Sequence, residues 1–241
     1  MNRRPARAAV LGLLLCLGCA SAQSRSDYDP LEGVNRKIFW FNLKAQKYAL
    51  DPIAKVWHVL PDPAERSVAR LFRNLAFPID FINNALQGKP GRAGTATARF
   101  VVNSTVGLGG LLDPAADWGL EPAPEDFGQT LGVWGLASGP YLMLPLWGPA
   151  NVRESIGYVG DYFGSLQPFL LPGNVTNVLY GTQVVNERAL ALEASEKRRA
   201  AAIDYYVFVR DAYYQLRNSQ IHDGRDVAPA QAEALYDVPI E

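Results

Sequence analysis

Apolar residues recur at helical spacing along most of the chain, and Pro and Gly cut that pattern into segments. A first helix is predicted over residues 35–50. Asp51-Pro52 should end it, since the residue before a proline disfavours helical backbone. A second starts at Asp62, with Pro63 in its first turn and Glu65 placed for a capping box, and carries Val68, Leu71, Phe72 and Leu75 on one face. Pro78 breaks or kinks it, and the segment runs on through Phe81, Ile82 and Leu86 to Gly88. Another helix is expected over 93–106, stopping in Gly107-Leu108-Gly109-Gly110. Residues 127–147 are apolar but punctuated by glycines, which suggests a hairpin, helical or extended. Helices over 152–162, 174–193 and 196–216 follow, then a polar tail, 224–241, expected to be disordered. Strand-type alternation is scarce, so the expectation is an all-α domain.

The N-terminus changes that picture. Arg3, Arg4 and Arg7 precede an apolar run over 8–17, the length of a signal-peptide core and too short to span a bilayer. Both cysteines, Cys16 and Cys19, lie in or beside this leader, so the body has no disulfide framework. Leu17-Gly18-Cys19-Ala20 resembles a bacterial lipobox, although Cys16 stands where Leu is usual. Acylation of Cys19 is the favoured reading; ordinary cleavage near Ala20-Ser21-Ala22 is the alternative. Residues 1–18 are then the signal peptide and 19–28 a lipidated tether, and Ala20 after the cysteine points to the outer membrane. Two or more acyl chains give stable anchoring at ~0.8 kcal/mol per buried methylene. Loss of the leader lowers Lys+Arg from 23 to 20 while Asp+Glu stays at 24, so the mature chain is near −4. No polyanion-binding surface, and no nucleic-acid partner, is implied.

Catalytic chemistry finds little support. Only His58 and His222 are present, and Gly135-Leu136-Ala137-Ser138-Gly139 has the wrong spacing for a nucleophile elbow. No His/Cys cluster suggests zinc, and Gly107-x-Gly109-Gly110 lacks the rest of a phosphate loop. Glu121, Glu125 and Asp126 read as a solvated loop rather than a calcium site. No catalytic residue, metal or cofactor is expected.

Membrane chemistry fits better. The first helix holds Phe39, Trp40 and Phe41 among interleaved lysines, including Lys44 and Lys47. Ring-rich apolar surface with lysines that reach phosphates suits a headgroup interface; a helix buried on two sides explains the pattern alone equally well, and the lipid anchor nearby tips the reading toward the interface. Gly128-xxx-Gly132 and Gly135-xxx-Gly139 have the spacing that lets backbones approach closely in lipid.

Several motifs, in order, resemble the MlaA/VacJ family of outer-membrane lipoproteins over residues 29–223. They are Asp29-Pro30-Leu31-Glu32-Gly33-Val34-Asn35-Arg36, Leu86-Gln87-Gly88, Asn103-Ser104-Thr105, and Phe127-Gly128-x-Thr130-Leu131-Gly132-x-x-Gly135-x-x-x-Gly139-Pro140-Tyr141. The final helix adds Tyr206, Arg210, Ala212, Tyr213 and Gln215. The resemblance implies an all-helical ring in the inner leaflet of the outer membrane, with a central amphipathic channel. Misplaced phospholipids descend through it to a soluble periplasmic carrier, and a trimeric porin is the neighbour. A Gly-rich hairpin containing Gly128, Gly132, Trp134, Gly135, Gly139, Pro140 and Tyr141 is expected to adjust that channel. No nucleotide motif is visible, so the component should act passively. A lipid hydrolase or a porin scaffold are the competing classes; the first needs a placed Ser–His pair that the sequence does not offer.

Overall fold

A computed structural model describes residues 29–165 and 167–224. The expected leader, Cys19, the tether and the tail from 225 lie outside these residues.

Among the described residues the chain is one helical domain with a single two-stranded sheet. α1 (Glu32–Ala45) passes through a π-helical turn (Gln46–Leu50) into α2 (Asp51–Trp57). The expected stop at Asp51-Pro52 is therefore not made. The Asp51 amide donates to the Gln46 carbonyl, five residues back, and the wider turn accommodates the proline at the start of α2. α3 (Asp62–Leu75) begins as expected, but without a capping box. Glu65 is buried instead, with its carboxylate 3.1 Å from His58 Nδ1. α4 (Phe77–Leu86) follows a break at Ala76, with Pro78 in its first turn. α5 (Pro90–Thr105) ends in a glycine turn where Gly109 and Gly110 take positive φ, and α6 (Pro114–Asp117) is capped by the Asp113 side chain.

The Gly-rich segment is a helix followed by an extended hairpin. α7 (Phe127–Val133) is capped by Asp126, then β1 (Tyr141–Leu144) pairs antiparallel with β2 (Gly148–Asn151). α8 (Val152–Gly164) starts on an Asn151 cap and leads through the short α9 (Gln167–Leu170). α10 (Gly173–Ala201) is longer than its sequence signals suggest, about 43 Å at 1.5 Å per residue. It absorbs the start expected for the last helix. α11 (Tyr205–Ile221) begins where Asp204 accepts the Tyr206 and Val207 amides.

The packing runs in a closed circuit. α1 lies on β1, β1 pairs with β2, and α11 contacts β2 and α7. α7 and α8 pack on α4, α4 on α3, and α3 on α10. α10 packs on α2, which returns through the π turn to α1.

Burial is inverted relative to a water-soluble domain. Among the described residues more polar and charged side chains are buried than apolar ones, including Asn35, Glu65, Asn84, Asn151, Asn186 and Glu154. The outside carries large apolar side chains on nearly every helix, including Val56, Val106, Val159, Phe163, Leu170 and Val178. One apolar cluster, Tyr141, Met143, Tyr206 and Tyr213, joins the hairpin to α11. No helix among the described residues is long and apolar enough to cross a membrane.

Candidate functional site

The apolar run of α1 divides between two surroundings. Consecutive helical residues point about 100° apart, so a run of four cannot share one face. Phe39 turns inward, with its ring 5.4 Å from Tyr206, edge-on, and 5.7 Å from Tyr205. Trp40 and Phe41 point outward, Trp40 being 62% exposed. The lysines are exposed and lie against rings: Lys44 Nζ is 5.4 Å from the Trp40 centroid and 5.6 Å from Tyr48, and Lys47 Nζ is 5.7 Å from Tyr48. Such cation–π contacts hold each stem along the aromatic surface and leave the ammonium at its edge.

Two of the hairpin glycines belong to a helix–helix contact. Gly128 and Gly132 lie in α7; α8 presents Gly157 to Gly128, whereas Gly132 is closed by Ile221 of α11 and Arg153. A Cβ on Gly157 would stand 2.6 Å from the Gly128 amide nitrogen, and one on Gly160 would enter the Phe127 ring. Gly128 is equally closed, against the Glu154 carboxylate. Gly135 and Gly139 lie beyond the helix, at φ +89° and +68°, so their spacing is that of a turn and not of a helical face. Gly135 faces open space, whereas Gly139 lies against Val152. Trp134 is exposed but tethered, donating its indole N–H to the Leu86 carbonyl at 3.1 Å. Pro140 is exposed, and Tyr141 is fully buried in the aromatic cluster. The tip is apolar: Leu146, at positive φ, and Trp147 are largely exposed.

Behind α7 lies a charged interior that the sequence reading did not find. Arg217 of α11 forks onto Asp126 at 2.7 and 2.8 Å and also bonds Glu154, which in turn holds Arg153 at 3.0 Å. Burial pushes Asp126 up, yet Arg217 outweighs it and holds the carboxyl below its usual range. Asp161 accepts the Phe127 amide at 2.9 Å and is pushed up to about 6, mainly by burial. Asp80, accepting the Glu125 amide, is pushed up to about 7 for the same reason. Elsewhere Arg99 bonds Asp113 and the Leu120 carbonyl, and Glu125 takes Lys89 at 3.0 Å. Paired arginines and carboxylates satisfy one another inside. No group of acidic, His or Cys residues suited to a metal occurs among the described residues.

A polar-cored, apolar-skinned helical circuit is the design of a protein whose exterior solvent is lipid. The chain belongs to the MlaA lipoprotein family, whose pattern matches residues 27–220. It is 34% identical to the intermembrane phospholipid transport system lipoprotein MlaA of Haemophilus influenzae over 235 residues, 93% of each chain. It is also 34% identical to the protein of that name in Escherichia coli, covering 95% of this chain and 94% of the relative. An uncharacterized protein of Rickettsia conorii is 31% identical over 197 residues, covering 80% of this chain and 78% of the relative. A solved structure described as "Structural basis for maintenance of bacterial outer membrane lipid asymmetry" matches with a TM-score of 0.69 and 34% identity, covering 80% of this chain and 98% of that one.

Proposed function

We propose that this protein is an outer-membrane lipoprotein that removes misplaced phospholipids from the outer leaflet and passes them through an amphipathic channel to a soluble periplasmic carrier. The observation that carries the reading is the closed circuit of elements with polar groups buried in its wall and apolar side chains on its outside. A headgroup crossing hydrocarbon unaided loses its hydration at large cost, and a polar-lined path lowers that barrier while acyl chains stay in apolar surroundings. The relatives named for phospholipid transport support the same conclusion. Cys19 supplies the anchor in the periplasm-facing leaflet. Trp40, Phe41, Lys44 and Lys47 rest at its headgroup level, and a trimeric porin is the neighbour on the apolar side.

Outer-leaflet phospholipid in cells lacking the protein tests the reading. It should rise, and fall again when the wild-type protein is restored. Unchanged lipid asymmetry with displaced porins favours a scaffold instead. Mass spectrometry of the mature N-terminus tests the anchor: the first peptide should begin at Cys19 and carry lipid mass, and a free Ala20 or Gln23 terminus would refute it.

A further inference from the structure

Beside the exposed face of α1 lies a cleft of about 440 Å³, walled by the π turn, α2, the C-terminal half of α10 and the start of α11. Four cations and two carboxylates line it. One cation is built in: Arg188 is buried, with Nε 2.7 Å from Asp51 and Nη1 2.6 Å from Ser195 Oγ. The other three, Lys47, Lys55 and Arg199, have no carboxylate partner among the described residues and are solvent-exposed. Asp51 is committed to Arg188, and Lys47, Lys55 and Arg199 outnumber the one remaining carboxylate, Glu196, so the cleft is electropositive.

The π turn explains why these cations gather. Lys47, Asp51 and Lys55 are four residues apart. On a regular α-helix, each four-residue step drifts about 40° around the axis. A turn closed by a five-residue hydrogen bond is wider and slows that drift, so the three side chains reach one cleft. Single π turns inside α-helices are frequent at functional sites. The Tyr205 ring closes the end of the cleft, against Phe39 and Phe208.

We propose that this cleft binds the phosphate of a glycerophospholipid headgroup and favours anionic headgroups over zwitterionic ones. The inference rests on the transport reading above and adds the class of lipid selected. The volume suits a phosphodiester with a small polar substituent. Arg188 is held rigid by Asp51 and Ser195, while Lys47, Lys55 and Arg199 supply mobile charge. A zwitterionic headgroup brings its own ammonium into this surplus of cations and is disfavoured; glycerol or another neutral substituent is not.

The test uses the full chain in a nonionic detergent. Calorimetry compares short-chain phosphatidylglycerol, short-chain phosphatidylcholine and inorganic phosphate, on the wild type and on Lys55→Gln/Arg199→Gln. These two residues are exposed and unpaired, so the variant keeps the wild-type circular dichroism. The wild type should bind phosphatidylglycerol at least tenfold more tightly than phosphatidylcholine, and the preference should shrink in 0.5 M salt as charges are screened. The double variant should lose roughly fivefold per removed cation, bringing the two lipids near parity. Equal affinities in the wild type, or an unchanged preference in the variant, overturn the headgroup site while leaving transport intact. Inorganic phosphate matching phosphatidylglycerol assigns the cleft to free phosphate and overturns the lipid proposal. Failure of the cells-based asymmetry assay, with lipid bound in neither form, removes the transport reading as well.

Discussion

Asn35 and Asn42 stand two turns apart on α1, and both grip the edge of β1 in the same way. Asn35 donates to the Tyr141 carbonyl at 3.0 Å and accepts the Met143 amide at 2.9 Å. Asn42 donates to the Leu144 carbonyl at 2.9 Å and accepts the Leu146 amide at 2.8 Å. Two side-chain amides thus take the place of a third strand and satisfy an edge that lipid could not hydrate. Asn35→Ala should leave two buried backbone groups unpaired and cost on the order of 2–4 kcal/mol. Asn42→Ala, nearer the surface, should cost about 1 kcal/mol and free the tip around Leu146. Denaturant melts in detergent measure the first effect. Outer-leaflet phospholipid in cells measures the second, which should differ from wild type while protein abundance does not.

The glycines of α8 and of the turn after α7 should divide sharply by position. Gly157→Ala drives a Cβ into the Gly128 backbone, where nothing can move aside cheaply, and should abolish stable folding. Gly135→Trp meets open space and should leave a folded, abundant protein, at about 1–2 kcal/mol for the left-handed backbone. A bulky ring beside Trp134 should then bias the turn between α7 and β1 and shift lipid asymmetry. Wild-type asymmetry in that folded variant assigns the turn to packing alone.

Asp80 makes stability depend on pH in the direction opposite to most carboxylates. Its folded value is near 7, well above an unfolded aspartate, so the folded state holds the extra proton between them. Stability should therefore fall as pH rises from about 4 through 7, by on the order of 2–4 kcal/mol. Asp80→Asn keeps an oxygen for the Glu125 amide and should remove most of this slope. Asp161, near 6, should supply what remains. Melting curves across pH 4 to 8 for both proteins decide it; equal slopes refute the assignment.

The neighbours Phe39 and Trp40 should respond to polar substitution in opposite ways. Trp40→Ser with Phe41→Ser, in a protein also lacking Cys19, should keep its melt and lose vesicle binding, by about 2 kcal/mol for each ring withdrawn from the interface. Phe39→Ser should instead lower the melting midpoint, because Phe39 packs on Tyr205 and Tyr206. Vesicle co-sedimentation beside circular dichroism separates the two.

Much of the helical layout was legible because Pro and Gly mark backbone limits that packing rarely overrides. α3, α5 and α8 lie near where their periodicity places them. The π turn was not legible, since Asp51-Pro52 signals a stop and only the wider hydrogen-bond spacing rescues the helix. Glu65 had the sequence of a capping residue, but His58 claimed it from an earlier loop. The charged interior was hidden for a deeper reason. Reading apolar as inside presumes water outside, so Asp126 reads as part of a solvated loop, and nothing in the sequence singles out Arg217 and Glu154 as its partners. Gly157 and Gly160 could have been noticed, for their spacing inside an apolar helix asks for a close neighbour. Gly128, which the sequence does single out, is the partner of Gly157 across the contact, and Gly160 faces the Phe127 ring.

The closed circuit makes the wall behave like a hoop. In an open stack, one weakened contact lets its ends swing apart. Here the strain is shared by every other joint, because the chain of contacts returns to its start. The circumference is set by how many elements are counted in, and helices of fixed diameter give it little room to change. The lightest member of the circuit is the hairpin, buttoned to α1 by two asparagines.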